Sequence, residues 1–265
     1  MEHKVRKDKV VASFSRAVES YDQAAVVQQR NARHLAGILR THCPDTRALV
    51  PFLEIGAGTG FLTEDLVQLG LSRGMVTDVS PAMVRVLGKN YAEFPGLTVC
   101  ELDGERFALG ERFNAVLSSS TFQWFSSLTD PFLNIRSHLT PGGLFTFCMF
   151  VDGTFRELRN AVSAVGCPFP GQRLFEANEV VRAMLDSGFS VEHFSVLDMP
   201  VRYPDALHFF RAVKSIGATN AHRDPLPPRD LKRVINRYDT EHRRADGVTA
   251  TYTTLFLLGR KRGTQ

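Results

Sequence analysis

Between Leu49 and Val151 short apolar runs alternate with segments of helical spacing, and this rhythm constrains the fold more than any other feature of the chain. Leu49–Ile55, Gly74–Val79, Leu97–Leu102, Phe113–Ser118 and Leu144–Val151 have the length of strands, and Phe61–Leu69, Pro81–Tyr91 and Thr129–Leu139 have the period of helices. Strands joined through helices pair in parallel, so the pattern predicts an α/β doubly wound sheet. Past Val151 the rhythm loosens. Helix Phe155–Val165, a loop in GCPFPGQ, helix Glu176–Ser187 with Gly188 as its C-cap, and strand Ser190–Leu197 follow. Helices Pro204–Ile216 and Arg229–Glu241 then precede VTATYTTLFLLGRK, a β-branched run that reads as the last strand. The total is a mostly parallel seven-stranded sheet. At the front, residues 5–40 read as helical from the spacing of Val10, Val11, Phe14, Ala17 and Val18, and again of Ala25, Leu35, Ile38 and Leu39. We divide the chain into an N-terminal helical arm, 1–45, and a domain over 46–265. The arm and an insertion at about 204–246, before the last strand, form a helical lid.

Length and charge narrow the classes. The 265 residues suffice for a sizeable core, and 43% hydrophobic with 23% charged residues is ordinary for a globular chain. No apolar run approaches the ~20 residues of a membrane helix. The start, MEHKVRKDKVVASF, lacks an apolar signal core, so a cytoplasmic protein is expected. Cys43, Cys100, Cys148 and Cys167 are scattered, with no CxxC pair, and the histidines show no ligand spacing, which indicates neither a disulfide framework nor a metal site. The net charge is +4 and the pI about 9.0. Its basic clusters, KVRKDK and PPRDLKRVINRYDTEHRR, suit an acidic partner.

The turn after the first strand, FLEIGAGTGFL, sets Gly56, Gly58 and Gly60 at alternate positions. Glycine tolerates φ > 0 and lets main chain curl against a ligand, and this turn is the usual ligand crevice of such a sheet. A dinucleotide fingerprint would need its third glycine at position 61, where Phe61 stands, and a P-loop would need a lysine after the glycines. Glu54, ending the first strand, would repel a pyrophosphate and suits a cation or a bound amine. Asp78, ending the second strand in VTDVSP, can accept both hydroxyls of a ribose. It can also serve as a charge before a helix capped by Ser80 and opened by Pro81. Asp103, in LDGERF after the third strand, could meet the amine of adenine or stand as a loop carboxylate. A ligand with an amine, a ribose and an adenine but no phosphate is S-adenosylmethionine.

With these residues in view, the chain resembles the class I S-adenosylmethionine-dependent methyltransferases over roughly residues 49–151. LEIGAGTG is similar to their glycine motif, VTDVS to their ribose-binding strand and LTPGG to the loop before their fifth strand. Asn114, in RFNAVLSSS, departs from the aspartate common in the family before strand four. The resemblance implies a Rossmann-like fold and S-adenosyl-L-methionine as cofactor. It implies cofactor contacts from Glu54, Gly56, Ala57, Gly58, Gly60, Asp78, Val79, Met83, Asp103, Gly104, Ser118 and Ser119. The flanks VASFSRAVESYDQAAVVQ, STFQWFSSL, ALHFFRAVKSIGAT and TYTTLFLLGRK extend a likeness over nearly the whole chain to the malonyl-acyl-carrier-protein O-methyltransferases of early biotin synthesis. That family transfers a methyl group to the free carboxylate of a malonyl thioester, carried on acyl carrier protein or coenzyme A. The ester masks the charge, so fatty-acid elongation accepts the primer.

The chemistry asks for positioning. A carboxylate with a reference pKa near ~4 is ionised at neutral pH and needs no general base; in-line approach and exclusion of water remain. Arg211 and Lys214, three apart on one predicted helix, share a face and could clamp the acceptor, or stand as solvated charges. Tyr21 could cover the cofactor or orient the carboxylate, with helix packing as the alternative. Gln123 and Trp124 follow strand four at the crevice edge, where Trp124 could equally be core. Arg229–Arg244 and the N-terminal lysines form a candidate docking surface for an acidic carrier. Other acceptors remain open: a small free carboxylic acid, a quinone ring, a protein side chain, or none in a cofactor-binding assembly factor. Phe61 and Glu54 disfavour a nicotinamide oxidoreductase. A nucleic-acid enzyme lacks its base-flipping motif where SSSTFQWF stands, and neither nucleic acid nor membrane is an expected partner.

Overall fold

The computed structural model describes residues 7–218 and 226–263. Five parallel strands lead: β1 (Phe52–Ile55), β2 (Gly74–Asp78), β3 (Leu97–Glu101), β4 (Phe113–Ser119) and β5 (Leu139–Phe150). β6 (His193–Tyr203), the two-residue β7 (Arg243–Arg244) and β8 (Gly247–Arg260) complete the sheet, in the order β3-β2-β1-β4-β5-β8-β6, with β7 beside β8. β8 inserts antiparallel between β5 and β6. Seven long strands are thus present, as expected, with β7 as a small addition. Strand ends moved most where pairing outran local pattern. β5 begins at Leu139 because LTPGG runs on as a bulged extension beside Phe113, and β6 continues to Tyr203 along β8.

The helices are α1 (Lys7–Ala24), α2 (Val26–His42), α3 (Phe61–Gln68), α4 (Pro81–Asn90), α5 (Thr129–His138), α6 (Arg156–Val165), α7 (Ala177–Asp186), α8 (Ala206–Ser215) and α9 (Pro228–His242). Ser80 caps α4 by accepting from Met83 N–H, with Pro81 in the first turn, and Asp205 caps α8 through His208 N–H. The predicted single helical stretch at the front divides at Ala25, which is fully buried. Beyond that break α2 packs on α3 and the sheet, whereas α1 turns away to lie against α4 and α8. One straight helix could not serve both surfaces.

Every residue of β1 is buried, as expected of a central parallel strand covered on both faces. On one face Leu35, Leu39, Leu62, Leu66 and Leu87 of α2, α3 and α4 meet the sheet. On the other, Phe132 and Ile135 of α5 and Val180 and Met184 of α7 meet Phe145 and Phe147. Phe122, Phe132, Phe145 and Phe147 are fully buried with ring centroids 4.9–5.8 Å apart. Each such ring contributes about 1.5–3 kcal/mol of burial. A third, smaller core joins α6, α8 and α9 to the start of β8 through Leu158, Phe209, Val234, Tyr238 and Val248. Among the described residues no helix is long and apolar enough to cross a membrane.

Candidate active site

The C-terminal ends of β1, β2 and β4 open into a cleft of about 880 Å³, its mouth included, which α1 overlies with Lys7, Val10, Phe14 and Tyr21. Parallel strands bring their ends to one rim, so Glu54, Asp78 and Ser119 meet there although they are distant in sequence. Glu54 is 1% exposed and accepts a 2.8 Å hydrogen bond from Thr63 Oγ1. Burial pushes its carboxyl up to about 8, Thr63 works against that, and the nearby Asp78 adds to it. A cation in the cleft would restore its charge. Asp78 accepts from Gly58 N–H at 2.9 Å through Oδ2 and from Ser80 N–H at 2.8 Å through Oδ1. Burial raises its pKa while those donors hold it down. Each oxygen keeps a further lone pair for a hydroxyl.

The three glycines have different jobs. All have positive φ (+70°, +62° and +105°), but a Cβ on Gly56 would lie 2.3 Å from Thr121 Oγ1, and one on Gly60 2.8 Å from the Tyr91 ring. Those two are fixed by the protein's own packing. A Cβ on Gly58 would meet only Tyr21 Cε1, at 4.0 Å, and would project into the cleft. Gly58 alone of the three therefore clears space that a ligand can use. Two carboxylates, a bare main-chain turn and, among the described residues, no cation but Lys7 on the walls suit an organic cation bearing hydroxyls, and S-adenosylmethionine fits that description.

A second chamber of about 1380 Å³, mouth included, adjoins the first. Phe14, Tyr21, Gln28, Ser120 and Trp124 line both. Its remaining walls are mainly apolar, among them Phe150, Phe155, Phe169, Leu174, Phe209 and Phe210, with Arg159 and Lys214 as its cations among the described residues. Tyr21 stacks on Phe61 (6.1 Å, 22°), and Phe14 meets Trp124 edge-on at 5.3 Å. Burial raises the Tyr21 phenol above its usual range, so it stays protonated and can donate but not act as a base.

Of the residues expected from sequence, Tyr21, Glu54, Gly56, Ala57, Gly58, Asp78, Val79, Met83, Ser119 and Trp124 line the cleft. Gln123 and Lys214 line the chamber instead. Gln123 is 3% exposed and braces main chain, donating to Ser120 O at 2.5 Å. Five expected residues line neither cavity: Gly60, fixed by packing as described above, and the four that follow. Ser118 is fully buried and spends its hydroxyl on Ile55 O at 2.7 Å, because β4 points it into the sheet's neighbour and not into the cleft. Asp103 is held by Lys7 Nζ and accepts Glu105 N–H at 3.0 Å, so its carboxylate is already matched. Gly104 is required by packing, since a Cβ there would sit 2.4 Å from Ile55 Cγ2. Arg211 is exposed on α8 and lines neither cavity, since it is Lys214, one turn on, that borders the chamber.

Several lining residues carried no sequence signal: Phe14, Gln28, Ser120 and Arg159. Ser120 has φ 56° and Phe155 φ 58°; among the described residues these are the non-glycine residues with positive φ, and both line the chamber. Such a conformation is costly for a side-chain-bearing residue and recurs where a site is over-determined by its surroundings. Buried Asn31 supports Ser120 by donating to its hydroxyl at 3.2 Å. The Lys7 link to Asp103 and to Glu105 (2.7 Å) ties the start of α1 to the loop after β3.

Comparison with known proteins agrees with this geometry. The Methyltransferase domain family matches residues 53–147. A malonyl-acyl-carrier-protein O-methyltransferase of Geobacter sulfurreducens is 33% identical, over 97% of this chain and 100% of that protein. One of Priestia megaterium is 28% identical over 96% and 97%. In fold, the chain is similar to the YcgJ protein of Bacillus subtilis (TM-score 0.64, 15% identity, 88% of this chain and 100% of the other). It is also similar to an S-adenosylmethionine-dependent methyltransferase of Mesorhizobium loti (TM-score 0.52, 16% identity, 85% and 96%).

Proposed function

The chain belongs to the malonyl-acyl-carrier-protein O-methyltransferases, and on that premise we propose how its two cavities divide the reaction. The enzyme transfers a methyl group from S-adenosylmethionine to the free carboxylate of a malonyl thioester in biotin synthesis. The observation that supports the division is the shared wall: Phe14, Tyr21, Gln28, Ser120 and Trp124 face both spaces. A donor in the cleft and an acyl group in the chamber can meet only there.

In the cleft, Glu54 would answer the amine of the cofactor, and Asp78, which keeps its grip on Gly58 N–H and Ser80 N–H, would hold the ribose hydroxyls. Gly58 would admit the close approach, with Val79 and Met83 as further lining residues for the cofactor. S-adenosylmethionine, when bound, supplies a methyl group already activated by a positive sulfur. The protein then has to align and dry the encounter. Tyr21, protonated and on the shared wall, covers the junction, and the aromatic wall excludes water. No residue need remove a proton, since the acceptor is already ionised.

α1, α8 and α9 form the lid over this junction, with α1 latched by Lys7. The carrier docks on α9. Lys232 and Arg229 are exposed there, whereas Arg233, Arg237 and Arg243 already pair with Asp230, Glu241 and Asp239. Lys7 is committed to the cleft, and Lys4 and Arg6 lie outside the described residues, so the docking surface rests on α9. Incubation with labelled S-adenosylmethionine and malonyl-acyl carrier protein tests the assignment. A methyl ester detected by mass is the expected product; label on a free acid or a quinone in its place would replace the acceptor.

A further inference from the structure

The chamber contains one polar group whose bonding is incomplete. Arg159, on α6, lines it, and its Nε is buried without a hydrogen-bond partner. The guanidinium lies over the Phe169 ring with Cζ 4.2 Å from the centroid, and Nη2 is 3.4 Å from Asp152 Oδ1. The Asp152 side chain is 54% exposed, so that pair is half-solvated and leaves the buried edge of the guanidinium unanswered. The Arg159 side chain is 32% exposed and its charge is partly met by Asp152, so what stays unanswered is the buried Nε N–H, a donor that is costly to leave without a partner. The other chamber cation, Lys214, is exposed on α8.

We infer that Arg159 is the residue that recognises the acceptor's carboxylate, an inference that rests on the reaction proposed above. Nε holds one carboxylate oxygen and leaves the other free to attack. Phe169 fixes the plane of the guanidinium, and Asp152 occupies the nitrogen that would otherwise close a two-point grip on both oxygens. A single bond of this kind positions the nucleophile without burying both of its oxygens in donors. It also reads charge. The substrate is an anion and the product a neutral ester, so Arg159 favours entry of the acid and release of the ester.

Binding measurements with malonyl-CoA and with its methyl ester, on the wild type and on Arg159→Met and Arg159→Lys, test this without requiring turnover. The wild type should bind the acid more tightly than the ester. Arg159→Met should weaken the acid by about 10- to 100-fold, the worth of a charge-assisted hydrogen bond. The same variant should leave the ester and S-adenosylmethionine within about twofold, as expected of a contact neither makes. Arg159→Lys should recover part of the loss, since it restores charge without the fork. Equal weakening of acid and ester would assign Arg159 to the thioester arm or to folding, and unchanged binding of both would remove it from the site. Either result overturns the inference. A wild type that binds the acid selectively yet forms no methyl ester would instead defeat the proposed reaction and leave the recognition by Arg159 standing.

Discussion

The cleft and the chamber share a wall but are built on opposite principles. The cleft is formed by strand ends and a glycine turn, its buried acidic groups are Glu54 and Asp78 with Lys7 on the wall under α1, and main-chain N–H groups hold Asp78 in place. The chamber is formed by side chains of helices and loops, its walls are aromatic, and its charges are the cations Arg159 and Lys214. Each cavity thus complements the charge of its proposed occupant, a sulfonium amine on one side and a malonyl carboxylate on the other. Separating the two signs of charge keeps each ligand from its own like-charged wall.

The largest break in this comparison should come from Asp78→Ala. It removes the acceptor for the ribose and frees two N–H donors of the turn, so the dissociation constant for S-adenosylmethionine should rise about 100-fold or more. Titration calorimetry should show malonyl-CoA binding changed by less than about threefold, because Asp78 does not line the chamber. Matching losses for both ligands would mean that the cavities are one unit. Next in size is charge reversal at Arg229 and Lys232, both exposed on α9. The KM for the carrier-bound substrate should rise about tenfold at low salt and fall back toward wild type as salt screens the surface. Malonyl-CoA should be spared; equal loss on both would remove α9 as the docking surface.

Glu54 gives a smaller, pH-dependent effect. Its folded pKa of about 8 lies above the ordinary glutamate value of 4.5. Between those values the folded protein holds a proton that the unfolded chain has lost. Stability therefore falls as pH rises through this window, and Glu54→Gln should flatten the slope of the unfolding free energy there. A bound cation lowers the pKa again, so cofactor binding near pH 7 should release up to about one proton. Calorimetry in buffers of different ionisation enthalpy reads that release, and the glutamine variant should abolish it. Smallest of all, Gly37→Ala on α2 should raise stability by about 0.5–1 kcal/mol in thermal or denaturant unfolding, since its Cβ would meet nothing within 4 Å. It should leave both ligands unaffected. Gly58→Ala, by contrast, should weaken the cofactor, which sharpens the distinction between a glycine of the scaffold and a glycine of the site.

Much of the cleft was legible in the sequence. Glu54 and Asp78 stand at the ends of successive predicted strands, and in a parallel sheet those ends share a rim. The chamber was not. Phe14 read only as part of a helical spacing, and Gln28 and Arg159 carried no signal, because nothing in their spacing says that α1, α2 and α6 converge. Ser118 and Ser119 are adjacent and read alike, yet strand alternation sends Ser118 to Ile55 O and Ser119 to the cleft. Arg211 and Lys214 share a helical face by spacing, but only Lys214 reaches the chamber.

The sequence by itself determined the doubly wound sheet, its glycine turn and the sign of charge at the strand ends. These follow from local periods and from residue chemistry within a few positions of each other. Tertiary structure alone decided that Lys7 would claim Asp103 from 96 residues away, that Gly58 would face the ligand while Gly56 and Gly60 serve packing, and that an apolar chamber would hold Arg159. Such contacts depend on how separate elements dock, and docking is settled by burial and shape across the whole fold, which no short window of sequence contains.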